Sequence, residues 1–119
     1  TIDCEITFVK LSSYQGTMST GVVQQIIGLD RDIKGRTIVI IEDIVDTGLT
    51  LASFRYVLAQ MEPAEVKVAT CLLKPDAFKN KFPIDYQCFS IPNEFVVGYG
   101  LDYDGLGRNS SDIYKILEA

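Results

Sequence analysis

A run of apolar residues at 38–41, Ile-Val-Ile-Ile, is the clearest strand signal in the chain. Four consecutive β-branched residues are typical of a strand buried on both faces of a parallel sheet, and the strand is predicted to span 37–41. After residue 48, apolar residues recur at the spacing of a helix that stops at 62–63. These residues are Leu51, Phe54, Val57, Leu58 and Met61. A second apolar run at 66–73 follows at the distance of one right-handed strand–helix–strand unit.

The flanking segments predict further strands. Apolar and polar residues alternate at 2–11, and residues 22–29 resemble a second strand, so the two are expected to form an antiparallel hairpin. The loop between them, residues 12–21, is polar and rich in Gly and Ser, which is typical of a mobile loop. Shorter strands are predicted at 85–91, 95–100 and 113–117. The chain opens in a strand without an initiator methionine or a preceding helix, so we expect part of the fold to lie upstream of Thr1.

The residues that follow the first apolar run carry the chemistry. Glu42 and Asp43 come where that strand is expected to end, and residues 46–50, Asp-Thr-Gly-Leu-Thr, bring small and hydroxyl residues to the start of the helix. Ligands of open α/β sheets bind outside the carboxyl ends of the strands, where a helix N-terminus offers free N–H groups to a phosphate. This arrangement predicts a phosphorylated, hydroxyl-rich ligand such as a sugar phosphate. The alternative is that Asp46 or Thr47 only caps the helix and the two acids are solvated.

Composition narrows the possible chemistry. A chain of 119 residues that is 47% hydrophobic forms one globular domain, and the absence of histidine excludes Ser-His-Asp and Cys-His catalysis and histidine metal sites. A net charge of −5 argues against nucleic-acid partners, and it also opposes an anionic ligand. We therefore expect the phosphates to be held locally, by backbone N–H groups and Mg²⁺. No apolar run approaches the roughly 18 residues of a membrane span. We therefore expect no membrane partner. The three cysteines lie in strand-like apolar surroundings, so we expect reduced, structural thiols and a cytoplasmic protein: Cys4, Cys71 and Cys88.

A second motif lies at 91–104. An aromatic residue and valines precede a Gly-Tyr-Gly stretch and an acid, which together can form a flat slot for a planar base. Phe95 can stack on such a base, and the backbone of Val96 can read its edge. The alternative is that Phe95 and Val97 are core residues and that Gly98 and Gly100 mark a bulge.

Both motifs resemble those of a known family. Residues 38–50 are similar to the phosphoribosyl pyrophosphate (PRPP) binding motif of the type I phosphoribosyltransferases. Residues 91–103, Ile-Pro-Asn-Glu-Phe-Val-Val-Gly-Tyr-Gly-Leu-Asp-Tyr, with Arg108 six residues after the Asp, resemble the purine site of hypoxanthine (hypoxanthine-guanine) phosphoribosyltransferases. The resemblance runs from about Cys4 to the C-terminus. It implies an α/β type I phosphoribosyltransferase-like fold: a mainly parallel sheet flanked by helices, an antiparallel flexible-lid hairpin and a C-terminal hood.

The resemblance also implies how the chain is divided. Residues 1–119 form a single, N-terminally incomplete domain, with the lid loop at 12–21 and the purine-binding hood and C-terminal strand at 85–119. In the lid, Ser13 and Tyr14 match a Ser-Tyr pair that closes over the reacting centre.

The resemblance implies a role for each residue of the first motif. Glu42 and Asp43 hold the ribose hydroxyls, directly and through Mg²⁺. Asp46 is the catalytic acid near purine N7. The 46–50 loop cradles the PRPP 5′-phosphate with Asp46, Thr47, Gly48, Leu49 and Thr50. Many relatives carry Lys or Arg where this chain has Leu49, so here the backbone must hold the phosphate.

In the second half, the resemblance makes Lys74 the donor to the 6-oxo group of the base, although a lone lysine at a strand end is usually only solvated. Phe95 is the stacking aromatic, and Val96 reads the purine edge through its main chain. Asp102 is the second metal-binding acid beside the purine, and Arg108 meets pyrophosphate.

The implied function is purine salvage: transfer of the 5-phosphoribosyl group from PRPP to hypoxanthine, and to guanine, by a Mg²⁺-dependent homodimer or homotetramer that acts on small molecules. One alternative is a non-catalytic PRPP or nucleotide sensor that regulates RNA or transcription, which needs a basic face. Another is an adenine or pyrimidine transferase, which Lys74 and the 95–102 segment disfavour.

Overall fold

The computed structural model describes residues 1–13 and 23–117, which belong to two compact units. The first unit takes the described residues of Thr1–Val39 together with Gly48–Lys67. The second unit takes Ile40–Thr47 and the chain from Val68 onward. Each unit has its own buried apolar residues. They include Ile33, Leu51, Phe54 and Leu58 in the first unit, and Ile40, Val45, Val68, Leu72, Leu73 and Ala77 in the second.

The central sheet has three strands in the order β3-β4-β5, where β3 is Thr37–Val45, β4 is Glu65–Leu73 and β5 is Tyr86–Ser90. Strands β4 and β5 are parallel, with Ala69 opposite Tyr86 and Leu73 opposite Ser90. The predicted strands at 37–41, 66–73 and 85–91 are therefore confirmed, as is the α/β class. Because the strands are parallel, their carboxyl ends lie at one edge of the sheet, which is where the predicted ligand residues follow β3 and β4.

Strand β3 corrects two expectations. It continues to Val45, four residues beyond the predicted end, so Glu42 and Asp43 lie within the strand rather than after it. It is also not buried on both faces, because Ile40 is buried while Ile41 is 80% exposed. Successive side chains of a strand point to opposite faces, so the apolar run supplies one buried and one exposed face among the described residues.

The predicted helix is α1, Leu49–Ala59, and it ends three residues earlier than expected. Leu51, Phe54 and Leu58 form its buried face, whereas Met61 lies beyond the helix and is 38% exposed. Arg55 donates to the carbonyl of Val66 at 3.2 Å, which links the middle of α1 to the start of β4. Within the described residues no helix is long and apolar enough to cross a membrane.

The N-terminal hairpin is confirmed with shorter strands. Strand β1, Lys10–Ser13, pairs antiparallel with β2, Val23–Ile27, with Lys10 opposite Ile27. The prediction of a strand from residue 2 was wrong, since residues 1–9 form no strand despite their alternation. The apolar side chains of this segment are exposed, so no buried face stabilises it as a strand: Ile2, Ile6 and Phe8. The predicted lid, including Tyr14, lies outside the described residues after residue 13.

The hood contains a second, short antiparallel pair. Strand β6, Val96–Val97, pairs with β7, Tyr114–Lys115, with Val96 opposite Lys115. Gly98 makes the close approach possible, because its φ is 105° and a Cβ there would overlap the carbonyl of Asp112. The strands predicted at 95–100 and 113–117 are thus present in shortened form.

All three cysteines are free, but their surroundings differ from the expectation. Cys4 and Cys88 are exposed, and Cys4 lies outside any strand. Burial, together with the neighbouring Cys88 thiol, raises the pKa of Cys71. The raised pKa lowers the fraction of Cys71 that is thiolate, and the thiolate is the nucleophilic form of a cysteine.

Candidate active site

The site is built where β3 and β4 end. The amide of Lys74, the residue after β4, donates to the carbonyl of Val45, the last residue of β3, at 3.0 Å. This bond makes the residues that follow the two strands neighbours. As a result, Lys74 Nζ lies 2.9 Å from Asp46 Oδ2, although the two residues are 28 positions apart.

The Lys74–Asp46 ion pair is unequally exposed. The Lys74 side chain is only 7% exposed, whereas that of Asp46 is 52% exposed. A buried ammonium needs a partner, because its desolvation is otherwise costly. Asp46 supplies that partner and keeps half of its surface open to a ligand. The alternative of a merely solvated Lys74 is therefore excluded.

The 46–50 loop leads directly into α1. Gly48 is the N-cap of α1, with φ 78° and ψ 9°, and it makes no side-chain cap hydrogen bond. Neither Asp46 nor Thr47 is therefore the N-cap residue of α1. The first N–H groups of a helix have no intrahelical partners, so this end can donate to an anion.

Glu42 and Asp43 are adjacent in β3, so their side chains project from opposite faces of the strand. Asp43 Oδ1 accepts a hydrogen bond from the amide of Ile44 at 2.7 Å. Burial, and secondarily the Asp43 carboxylate, raise the pKa of Glu42 above its ordinary value. A carboxyl group with this environment gains from a nearby cation or hydroxyl donor, which fits the predicted contact with ribose and Mg²⁺.

The raised pKa of Glu42 predicts a pH-dependent gain in stability for Glu42→Gln. A carboxyl whose pKa is raised by folding stabilises the fold below its unfolded pKa, and that contribution is lost as the pH rises through the folded value. We therefore expect the variant to melt at a higher temperature than the parent at pH 7 and to lose this advantage near pH 4. Thermal melts at both pH values measure it, with Glu65→Gln, an exposed acid of β4, as control. A constant difference across this pH range contradicts the prediction.

In the hood, the Phe95 ring and the backbone of Val96 are both left without a place in the core or the β6–β7 ladder. Phe95 is 56% exposed, and its ring packs edge-to-face on Tyr103 with centroids 5.8 Å apart. The amide of Ile116 donates to the carbonyl of Phe95 at 3.0 Å, which makes Val96 and Lys115 a non-hydrogen-bonded pair in the antiparallel pattern. The N–H and C=O of Val96 therefore point away from β7. The alternative of a core role for Phe95 does not hold.

Asp102 and Arg108 are brought together. Arg108 Nη2 lies 2.9 Å from Asp102 Oδ1, and Arg108 Nη1 donates to the carbonyl of Gly100 at 2.7 Å. The other oxygen, Asp102 Oδ2, accepts from the amide of Gly105 at 2.9 Å. Both predicted residues thus belong to one turn, in which the arginine neutralises the acid.

The described residues contain no group of three or more Asp, Glu or Cys side chains that can hold a metal ion unaided. Mg²⁺ is usually bound by one or two carboxylates together with substrate phosphates and water. The separate oxygen donors of Glu42, Asp43 and Asp102 fit that second arrangement.

Two contacts of the site had no signal in the sequence. Asn80 Nδ2 donates to the carbonyl of Thr47 at 2.7 Å, yet Asn80 stands in no motif. Tyr103, which packs on Phe95, belongs to the second motif, but the motif assigned it no role. Of the lid pair, Ser13 ends β1, and Tyr14 lies outside the described residues.

Comparison with known proteins places these features in a family. A family described as "Phosphoribosyl transferase domain" matches residues 1–104. The hypoxanthine-guanine phosphoribosyltransferase of Streptococcus pneumoniae is 49% identical over 106 residues, which is 88% of this chain and 59% of that protein.

Solved structures agree with the sequence comparison. The hypoxanthine phosphoribosyltransferase of Staphylococcus aureus has a TM-score of 0.79 and 37% identity, covering 93% of this chain and 61% of that chain. That of Trypanosoma cruzi, in a ternary substrates complex, has a TM-score of 0.82 and 37% identity, covering 95% of this chain and 61% of that chain. The chain therefore spans about three fifths of the length of these proteins.

Proposed function

The chain belongs to the phosphoribosyl transferase domain family, and on that premise we propose that it transfers the 5-phosphoribosyl group from PRPP to hypoxanthine and guanine. The products are IMP or GMP and pyrophosphate. The names of the relatives support a transferase rather than a regulatory sensor.

The Lys74–Asp46 ion pair is the observation that carries the proposal. In a 6-oxopurine, the O6 and N7 atoms lie side by side on one edge of the base. An ammonium has three N–H donors, so Lys74 can hold Asp46 and still donate to O6. Asp46, 2.9 Å from that ammonium and half exposed, then faces N7. The 6-amino group of adenine is a donor and is not bound by a second donor, which favours hypoxanthine and guanine.

The sugar phosphate is assigned to the 46–50 loop. The start of α1 follows Gly48, and we assign backbone N–H groups at this helix N-terminus to the 5′-phosphate. Leu49 is 61% exposed and contributes no charge, so the backbone of this loop carries the contact. Glu42 and Asp43 precede the loop on β3 and are assigned to the ribose hydroxyls.

Bond breaking between C1′ and pyrophosphate develops positive character on the sugar and negative charge on the leaving group. Asp46 takes the proton of the attacking base, and Arg108 stabilises the leaving pyrophosphate after release from Asp102. Mg²⁺, held by Glu42, Asp43 and Asp102 together with PRPP, supplies further charge neutralisation when bound. Phe95 and Val96 position the base.

The remaining assignments follow the same family reasoning. Residues 1–119 act as part of one phosphoribosyltransferase domain, with residues 12–21 as the lid and 85–119 as part of the hood. Ser13 and Tyr14 in the lid exclude water from the reacting centre. We further assign a homodimer or homotetramer in the cytoplasm that acts on small molecules.

Incubation with hypoxanthine, PRPP and Mg²⁺, followed by chromatographic detection of IMP, tests the function. We expect IMP from hypoxanthine, GMP from guanine and no AMP from adenine, with loss of product when EDTA is added. Binding of IMP measured by calorimetry gives a readout that is independent of turnover. Formation of AMP in preference to IMP, or neither turnover nor IMP binding, overturns the proposal.

A further inference from the structure

We propose that Asn80 is a positioning residue for the phosphate subsite of the 46–50 loop, an inference that rests on the proposed function. Its side-chain amide donates to the carbonyl of Thr47 at 2.7 Å, across 33 positions of sequence. Within the Asn80 amide only Nδ2 can donate, because the carbonyl oxygen of Thr47 is an acceptor and so is Oδ1 of Asn80. The bond ties the residue before Gly48 to the segment that follows β4.

The bond sets the orientation of one peptide group. In a trans peptide, the C=O and the N–H point in opposite directions. Because Asn80 holds the carbonyl of Thr47, the N–H of Gly48 is directed away from Asn80. This N–H is the first backbone donor at the start of α1, where the 5′-phosphate is assigned.

Gly48 makes such a restraint necessary. Its φ of 78° lies in the left-handed region, and glycine reaches other φ values at little cost. The Thr47–Gly48 peptide can therefore turn over if nothing holds its carbonyl. A reversed peptide presents an oxygen to the phosphate in place of a donor, which is repulsive.

Asn80 is itself held in place by the segment after β4. The amides of Ala77 and Phe78 donate to the carbonyl of Lys74 at 3.1 and 3.0 Å, and Ala77 is buried. Phe78 and Phe82, on either side of Asn80 in sequence, pack edge-to-face with ring centroids 5.4 Å apart. These contacts hold the chain on either side of Asn80, so its side-chain amide is kept beside the carbonyl of Thr47.

The test compares IMP with inosine, which lacks the phosphate. Loss of one neutral hydrogen bond corresponds to roughly a five- to tenfold change in affinity. For Asn80→Ala, we expect the Kd of IMP and the KM of PRPP to rise by about that factor, with kcat and inosine affinity changing less than about twofold. Asn80→Asp should be worse than Asn80→Ala, because it places a carboxylate against the Thr47 carbonyl. Asn80→Gln should recover part of the loss.

The matched control is Gln87→Ala, which removes another side-chain amide hydrogen bond, to Ser90 Oγ at 2.9 Å on β5. It should leave all of these values unchanged. If the parent protein binds no IMP, the proposed function fails. If the parent binds IMP and Asn80→Ala binds it equally well, the positioning role is refuted. Equal losses for IMP and inosine also refute it, since a general structural role weakens both ligands.

Discussion

Asp46→Asn is expected to cut turnover by a factor on the order of 10² or more, with little change in PRPP affinity. Asn keeps the shape of the side chain and can still accept from Lys74, but it cannot take a proton from the base. The half exposure of Asp46 means that a bound purine can reach it directly. Steady-state kinetics with hypoxanthine and PRPP, together with calorimetric titration of PRPP, measure both quantities.

The same substitution should also lower stability at neutral pH. It leaves the buried Lys74 ammonium with a neutral amide acceptor in place of its carboxylate, and the loss of the partner's charge costs about 1 kcal/mol. Asp76→Asn, an exposed acid two residues after Lys74, is the matched control and should change neither turnover nor stability. Near-normal turnover in Asp46→Asn removes Asp46 from the chemistry.

Local pattern predicted the elements that lie on either side of the site. Three patterns involve only residues that are close in sequence: the apolar run at 38–41, the helical spacing after Gly48 and the apolar run at 66–73. Each lies within the element that it predicted, β3, α1 and β4 respectively. The predicted end of β3 was wrong because the charges of Glu42 and Asp43 suggested a boundary. The apolar residues Ile44 and Val45 carry the strand onward, and Val45 is buried.

The contacts that give the site its geometry could not be predicted in this way. The burial of Lys74 depends on the backbone bond to Val45, which joins residues far apart in sequence. The hydrogen bond from Asn80 to Thr47 is likewise long-range, and no sequence pattern near Asn80 predicts it. The motif supplied the identities of the site residues, whereas pairing between strand ends determined which of them meet.

Lys74→Ala is expected to weaken 6-oxopurine binding by about 10- to 150-fold while PRPP binding is retained. In the proposed site, the substitution removes a charge-assisted hydrogen bond to the 6-oxo group, and such a bond contributes roughly 1.5–3 kcal/mol. Lys74→Met, which keeps most of the side-chain volume, should show the same selective loss, so a cavity does not account for it. Titration of the purine and of PRPP against each variant gives the two affinities.

The stability of the Lys74 variants should differ from that of Asp46→Asn, because the partner left behind is different. Removing Lys74 leaves Asp46, whose side chain is 52% exposed and can be solvated. Removing the Asp46 charge instead leaves the Lys74 ammonium, whose side chain is only 7% exposed. Lys74→Met should therefore melt closer to the parent than Asp46→Asn does.

Lys34→Ala, which breaks the exposed ion pair with Glu62, is the control and should affect neither ligand. Equal weakening of purine and PRPP in both Lys74 variants, accompanied by a large drop in melting temperature, assigns Lys74 a structural role and removes it from base recognition.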